Sequence, residues 1–139
     1  ELEPRSETEQ GAMPVLELKR VAEPPKSFPL GMVLRSCPEI AMYGPAGGVA
    51  NWREMMAAAV VVRSMLGVSP SAYQEACEVM GPENAAVAIA CILERAGHIN
   101  SAGGYLRDLT RRAAKGEFSL GPMLMALMRA RGGGEAKTG

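Results

Sequence analysis

Arg107, Arg111 and Lys115 recur at four-residue intervals, with Arg112 beside them. Residues four apart on an α-helix share a face, about one turn from each other, so these side chains form a cationic row. Guanidinium and ammonium groups spaced in this way can follow phosphates along a nucleic-acid backbone. A solvated helix face fits the same pattern, because Asp108 and Glu117 are near enough to pair with the arginines locally. Just upstream, Ser101-Ala102-Gly103-Gly104 places small residues at the start of the helix, where exposed N–H groups could meet an anion and Arg107 could close over it. A close helix crossing would also call for Gly103 and Gly104. Tyr105 stands at the same end of the helix and completes the candidate DNA-binding set of Ser101, Tyr105, Arg107, Arg111, Arg112 and Lys115.

Other chemistry finds little support. His98 is the only histidine and has no carboxylate or cysteine at a suggestive spacing, whereas acid–base or metal work needs convergent partners. The serines read as helix starts rather than nucleophiles. No catalytic residue, metal ligand or cofactor is expected, and the chain does not read as an enzyme. Gly44–Gly48, GPAGG, lacks the lysine and the serine or threonine of a phosphate loop and reads as a flexible turn. Cys37, Cys77 and Cys91 are odd in number and lack C-x-x-C spacing, which supports neither a disulfide framework nor a zinc site and suits a reducing cytoplasm. No apolar run approaches the ~20 residues of a membrane helix, and no signal-peptide core opens the chain, so a soluble cytoplasmic protein without membrane contact is expected.

The elements that must position the basic row follow from periodicity and punctuation. Pro82 suits a first helical turn and Glu83 complements the positive helix end; from Ala85 to Leu93 the residues are apolar almost all round, with Asn84 at the entrance. A helix without a polar face is buried on several sides, which makes this the central helix of the core. Gly97 is expected to cap it in the left-handed conformation, and Ser101 to cap the next helix, whose Tyr105, Leu106, Leu109 and Ala113 pack inward. Asn51 starts a long core helix carrying Trp52, Met55, Met56, Ala59, Val60 and Val62 onward to Leu66, with Gly67 ending it. Trp52 reads as a packing residue. Ser69-Pro70 opens a helix with Tyr73, Ala76, Cys77 and Met80 inward and Gln74, Glu75 and Glu78 in water. Leu30, Val33 and Leu34 face inward from a short helix within Pro29–Ser36, and a further short piece follows Pro38. Lys115-Gly116 ends the basic helix; Ser119 then caps a last one with a stripe of Leu120, Met123, Leu124, Leu127 and Met128, and Gly132, Gly133 and Gly134 release the chain.

With 139 residues the chain has room for one domain with a real core. Hydrophobic residues make up 47% but aromatics only 4%, a supply of Ala, Val, Leu and Met that fits close helix packing better than a β-sandwich. The expectation is an all-α, compact multi-helix domain of about six or seven helices around a buried alanine- and isoleucine-rich helix. Residues 1–28 read as a flexible segment and linker, with Val15, Leu16 and Leu18 as a foothold, 29–131 as the helical domain and 132–139 as a disordered tail. The formal net charge is zero, yet acidic side chains favour Glu1–Glu23 and Glu75–Glu94 while Arg107, Arg111, Arg112, Lys115, Arg129 and Arg131 lie late. A start at Glu1 rather than methionine reads as a domain excised from a longer protein.

The stretch GPENAAVAIACILERAGHINSAGGYLRDLTRRAAKGEFSLGPMLMAL resembles the C-terminal domain of RepC, the replication initiator of the repABC plasmids of alphaproteobacteria. The similarity extends upstream through PLGMVLRSCPEIAMY, the Trp52 helix and LGVSPSAYQEACEVM and covers about Pro29 to Arg131, with INSAGGYLRDLTRRA and GEFSLGPMLMAL as specific phrases. The resemblance implies part of a protein that binds its plasmid's origin and starts replication. In that family the better established DNA-binding module is a winged-helix region nearer the N-terminus, which has no counterpart among these residues. The order of a Tyr73-bearing helix, an alanine-rich helix, a turn, a helix starting near Tyr105 and a Gly-Glu-Phe exit is also similar to the C-terminal module of DnaD-type primosomal proteins, which is linked to DNA binding and to contacts with replication partners. Three functions are therefore carried forward. One is a replication-initiator domain that assists DNA engagement at the plasmid origin, on single- or double-stranded DNA, through the basic helix. Another is a protein-interaction module, either for a homodimer or for host replication proteins, with Tyr105 and the methionine-rich last helix as surfaces. The third is a structural domain that regulates its winged-helix neighbour.

Overall fold

Polar side chains set where the helices begin. The structure, a computed structural model, describes the backbone of residues 28–138 and the side chains of residues 28–130. Residues 1–27, with the Val15, Leu16 and Leu18 foothold, lie outside the described residues. Asn51 Oδ1 accepts from Glu54 N–H at 2.9 Å, Ser69 Oγ from Ala72 N–H at 3.1 Å, and Ser101 Oγ from Gly104 N–H at 3.0 Å. Each satisfies a first-turn donor that has no partner within its helix. Glu54 reaches back to Ala50 N–H at 2.8 Å and reinforces the first of these caps.

The described residues form α-helices and 3-10 turns joined by short connections, with no strand among them. The helices are α1 (Leu30–Ser36), α2 (Trp52–Met65), α3 (Pro70–Met80), α4 (Pro82–Glu94), α5 (Ala102–Ala114) and α6 (Leu120–Thr138), with 3-10 turns at Pro38–Tyr43 and Ala96–His98. Every residue from Asn84 to Leu93 is buried. Around α4 pack α2, α3, α5, α6 and the Pro38–Tyr43 turn, while α1 lies on α6 and on that same turn. The alanines of α4 let its neighbours approach closely, and Ile89 and Ile92 fill the space between them, each worth about 1.5–3 kcal/mol of apolar burial. Asn84 spends its side chain at the entrance, Nδ2 donating to Met80 carbonyl oxygen at 3.1 Å. Trp52 packs against the core, as expected of a structural aromatic.

Gly81 joins α3 to α4 without an intervening loop. Its φ of 91° and ψ of 149° lie where only glycine is at ease, and its N–H closes α3 by donating to Cys77 carbonyl oxygen at 2.9 Å. Gly67 and Gly116 end α2 and α5 with φ of 82° and 73°, as the sequence predicts. Gly97 does not behave as expected. It is absent from the positive-φ glycines, because the 3-10 turn satisfies the carbonyls at the end of α4 without a left-handed residue: Arg95 N–H donates to Ile92 oxygen at 3.1 Å and His98 N–H to Arg95 oxygen at 2.9 Å.

One further expectation is corrected. Val60 was expected in the core but is 48% exposed, since it sits two positions from both Ala58 and Val62 and points outward when they point inward. Helical backbone of α6 runs to Thr138, past Gly132–Gly134. Glycine weakens a helix by about 1 kcal/mol relative to alanine without removing its N–H donor, and the good helix formers Glu135, Ala136 and Lys137 follow.

Tyr73 and Cys77 hydrogen-bond one turn apart on α3. Burial, then the neighbouring Cys77, pushes the Tyr73 phenol well above its ordinary value of 10.0, and burial likewise pushes the Cys77 thiol up from 9.0. Both acids hold their protons more tightly folded than unfolded, so their contribution is fully present below the ordinary values and is lost as pH rises above them through the raised folded values. Unfolding free energy measured in urea should therefore fall as pH rises above about 9, more steeply above about 10, and Tyr73→Phe should reduce the fall above about pH 10. In the same assay Ile89→Ala should cost about 2–5 kcal/mol, whereas Val60→Ala should stay within about 0.5 kcal/mol of the parent.

Candidate functional site

The basic row is held by the buried side of its own helix. Leu106, Leu109 and Thr110 of α5 are buried against α3 and α4, and Thr110 Oγ1 donates to Leu106 carbonyl oxygen at 2.8 Å, which lets a hydroxyl sit in the core. With that side anchored, Arg107, Arg111 and Lys115 face solvent, as four-residue spacing requires.

The six candidate residues do not make one surface. Tyr105, Asp108 and Arg112 share a second side of α5 by three- and four-residue spacing, and Tyr105 is half-buried against the core rather than standing free. Ser101 is exposed, but its Oγ already serves as the N-cap acceptor. Gly103 is not demanded by a tight helix crossing, since a Cβ there would lie 3.9 Å from Gly67 oxygen and from Val68 Cα, an ordinary contact. At Gly104 a Cβ would come 3.1 Å from Ser101 Oγ, so a side chain there would press on the cap itself. The close-crossing expectation is thereby corrected: the glycines border the α2–α3 connection and the cap.

Three of the four cations have carboxylate partners. Asp108 bridges two of them, taking Arg111 Nη2 on Oδ1 at 2.6 Å and Arg112 Nη2 on Oδ2 at 2.8 Å. Glu75 of α3 stands 3.5 Å from Arg107 Nη1. These arginine side chains remain 50–62% exposed, so each pair is worth about 0–1 kcal/mol and opens readily. Among the described residues Lys115 has no ion pair; it lies at the C-terminal end of α5, where a cation suits the helix dipole. Glu117, expected to pair with an arginine side chain, instead donates its backbone N–H to Arg112 carbonyl oxygen at 2.8 Å.

Sequence reasoning placed Glu75 in water and missed its contact with Arg107, because the two meet only when α3 lies along α5. Between those helices runs an open groove of about 290 Å³ lined by Glu75, Val79, Arg107, Thr110, Arg111 and Ala114. Its chemistry is that of two guanidinium groups over a small apolar floor, with one carboxylate at its side. His98 is exposed in the Ala96–His98 turn, and no cluster of three His, Cys, Asp or Glu side chains that could hold a metal occurs among the described residues. No helix among them is long and apolar enough to cross a membrane.

Fold and site together define an all-α domain that turns one amphipathic basic helix to solvent. Residues 29–130 match the model of the replication protein C C-terminal region, and the chain belongs to that family. It is 68% identical over 139 residues to a protein named "Putative replication protein C" from Rhizobium rhizogenes, covering 100% of this chain and 34% of that protein. A protein of the same name from Sinorhizobium fredii is 67% identical over 135 residues, covering 97% of this chain and 33% of the relative. The chain thus spans about a third of the length of these curated relatives. No solved structure matches it.

Removing the cap should be felt more than removing the ion pairs. Ser101→Ala is expected to lower unfolding free energy in urea by about 0.5–2 kcal/mol, and Asp108→Asn to change it by less than about 1 kcal/mol.

Proposed function

We propose that this chain is the C-terminal part of a plasmid replication initiator and that α5 assists DNA engagement and assembly of the initiation complex at the plasmid origin. The replication role rests on family membership and on two close relatives named for replication. The DNA role rests on one observation: Arg107, Arg111 and Lys115 stand at one-turn intervals on the exposed side of a helix whose other side is locked in the core. A helix already fixed in the core loses little backbone freedom when its cationic row meets a regularly spaced polyanion, and the cost left is the ordering of the side chains themselves.

The carboxylates temper this role without cancelling it. Arg107, Arg111, Arg112 and Lys115 set against Asp108 and Glu75 leave two positive charges in surplus. Phosphates can replace exposed carboxylate partners at small cost, because the released Asp108 and Glu75 return to water. Contacts of this kind read the backbone and carry no base sequence, so α5 supplies affinity and orientation rather than origin choice. The alternative, a module for self-association or for host replication proteins, draws support from Val60, Val61 and Met65, which stand about half exposed within six residues of α2.

Titrating the full chain with single- and double-stranded DNA, origin and scrambled, across a salt series separates these readings. Binding should weaken linearly in log–log form as salt rises. Replacing Arg107 and Arg111 together by alanine should reduce the slope on duplex DNA by about 1.8, from about 0.9 per lost phosphate contact, and lower affinity at least ~10-fold at low salt. Asp108→Asn should tighten binding several-fold by releasing Arg111 and Arg112. If the alanine pair binds like the parent, α5 is not the DNA face.

A further inference from the structure

The core holds two thiols in contact. Cys37 and Cys91 are both fully buried, 54 positions apart in sequence, and their Sγ atoms lie 3.8 Å from each other. Both are reduced. Cys37 sits where α1 gives way to the Pro38–Tyr43 turn, and Cys91 stands toward the C-terminal end of the buried stretch of α4. The two sulfurs therefore meet where a short peripheral unit is seated on the central helix.

We propose that Cys37 and Cys91 form a redox modification site, a latent disulfide that locks the α1 unit onto α4, with a low-molecular-weight disulfide as the co-reactant. The sulfurs already lie in contact at 3.8 Å, and closure brings them to the bonded separation of about 2.05 Å. Access comes from local opening. α1 has seven residues and the 3-10 turn after it six, so this is the short peripheral unit that can open while α4 stays in the core; opening exposes Val33, Ser36, Cys37 and Ile40 and breaks the Glu39 N–H bond to Glu94 Oε2 at 2.9 Å. When it lifts, Cys37 reaches solvent, and its thiolate attacks one sulfur of the small disulfide and expels one thiolate. On reseating, the Cys91 thiolate attacks the Cys37 sulfur of the mixed disulfide and expels the second. The protein loses two electrons and two protons, and the co-reactant is reduced to two thiols. Cys77 lies on α3, away from this pair and only partly buried, and can form at most a terminal adduct.

The bridge closes a 54-residue span and holds the opened unit shut, which restrains the unfolded chain and slows local opening together. This site is independent of the DNA reading, since none of its residues lies on α5.

The test treats the full chain with oxidised glutathione, with and without a low, non-denaturing urea concentration that favours local opening. Intact mass, peptide mapping and thermal unfolding are then measured. The expected product is a monomer lighter by about 2 Da whose linked peptides contain Cys37 and Cys91, forming faster in urea, reversed by dithiothreitol and melting about 5 °C or more above the reduced protein. Cys77→Ser should give the same product, because its thiol takes no part. Cys37→Ser should abolish the 2 Da loss; the mapping of the Cys77→Ser protein, with the pair intact, stands even if Cys37→Ser folds poorly. Adducts on Cys77 alone, with Cys37 and Cys91 still alkylatable after denaturation, would overturn the assignment, and so would a bridged product that melts no higher than the reduced chain.

Discussion

Everything in this domain depends on hiding one helix. Ten consecutive residues of α4, Asn84 to Leu93, are buried, so α4 has no side on which it could meet water. That condition can be met only by packing on several sides at once, and α2, α3, α5, α6 and the Pro38–Tyr43 turn supply it. The small alanines set how near the neighbours come, and the few large apolar residues set how well they interlock. A helix of this composition would be insoluble alone; surrounded, it is the reason the other helices are where they are.

The placement of α5 is a direct consequence. Its buried residues Leu106, Leu109 and Thr110 fix the rotation of the helix about its own axis, and that rotation decides which cations face out. The positive charges are therefore positioned by apolar packing, not by their ion pairs. Contacts between half-exposed arginines and carboxylates are too weak to orient a helix that hydrophobic burial already orients. They matter instead as local competitors for any anion that approaches, and Asp108, touching two guanidinium groups at once, is the strongest of them.

Connections between helices divide the molecule into firm and yielding parts. Gly81 leaves no slack between α3 and α4, and the 3-10 turn at Ala96–His98 makes an equally short exit from α4. The α1 unit is different: a single short helix and a 3-10 turn, attached through Val33, Cys37 and Ile40 to the core. Opening of this unit would bring the buried Cys37 to solvent, so motion and thiol chemistry would coincide there.

Much of this was legible in the amino-acid order itself. Caps at Asn51, Ser69 and Ser101, prolines at first turns and the unbroken apolar run of α4 are local signals with local causes, and they specify an all-α domain with the right helix at its centre. The basic row was legible for the same reason, since four-residue spacing acts within one helix. Where the reading failed, the cause was non-local or had more than one solution. Gly97 could have ended α4 in the left-handed conformation, but a 3-10 turn met the same carbonyls; Val60 looks like core by type, and only the direction of the α2 interface turns it outward. The Arg107–Glu75 contact and the touching sulfurs of Cys37 and Cys91 join residues far apart in the chain. Sequence by itself determined which segments are helices and which faces are apolar, because propensity, capping and periodicity operate over a few residues. Tertiary structure alone decided which faces meet, because that depends on how all the helices together cover α4.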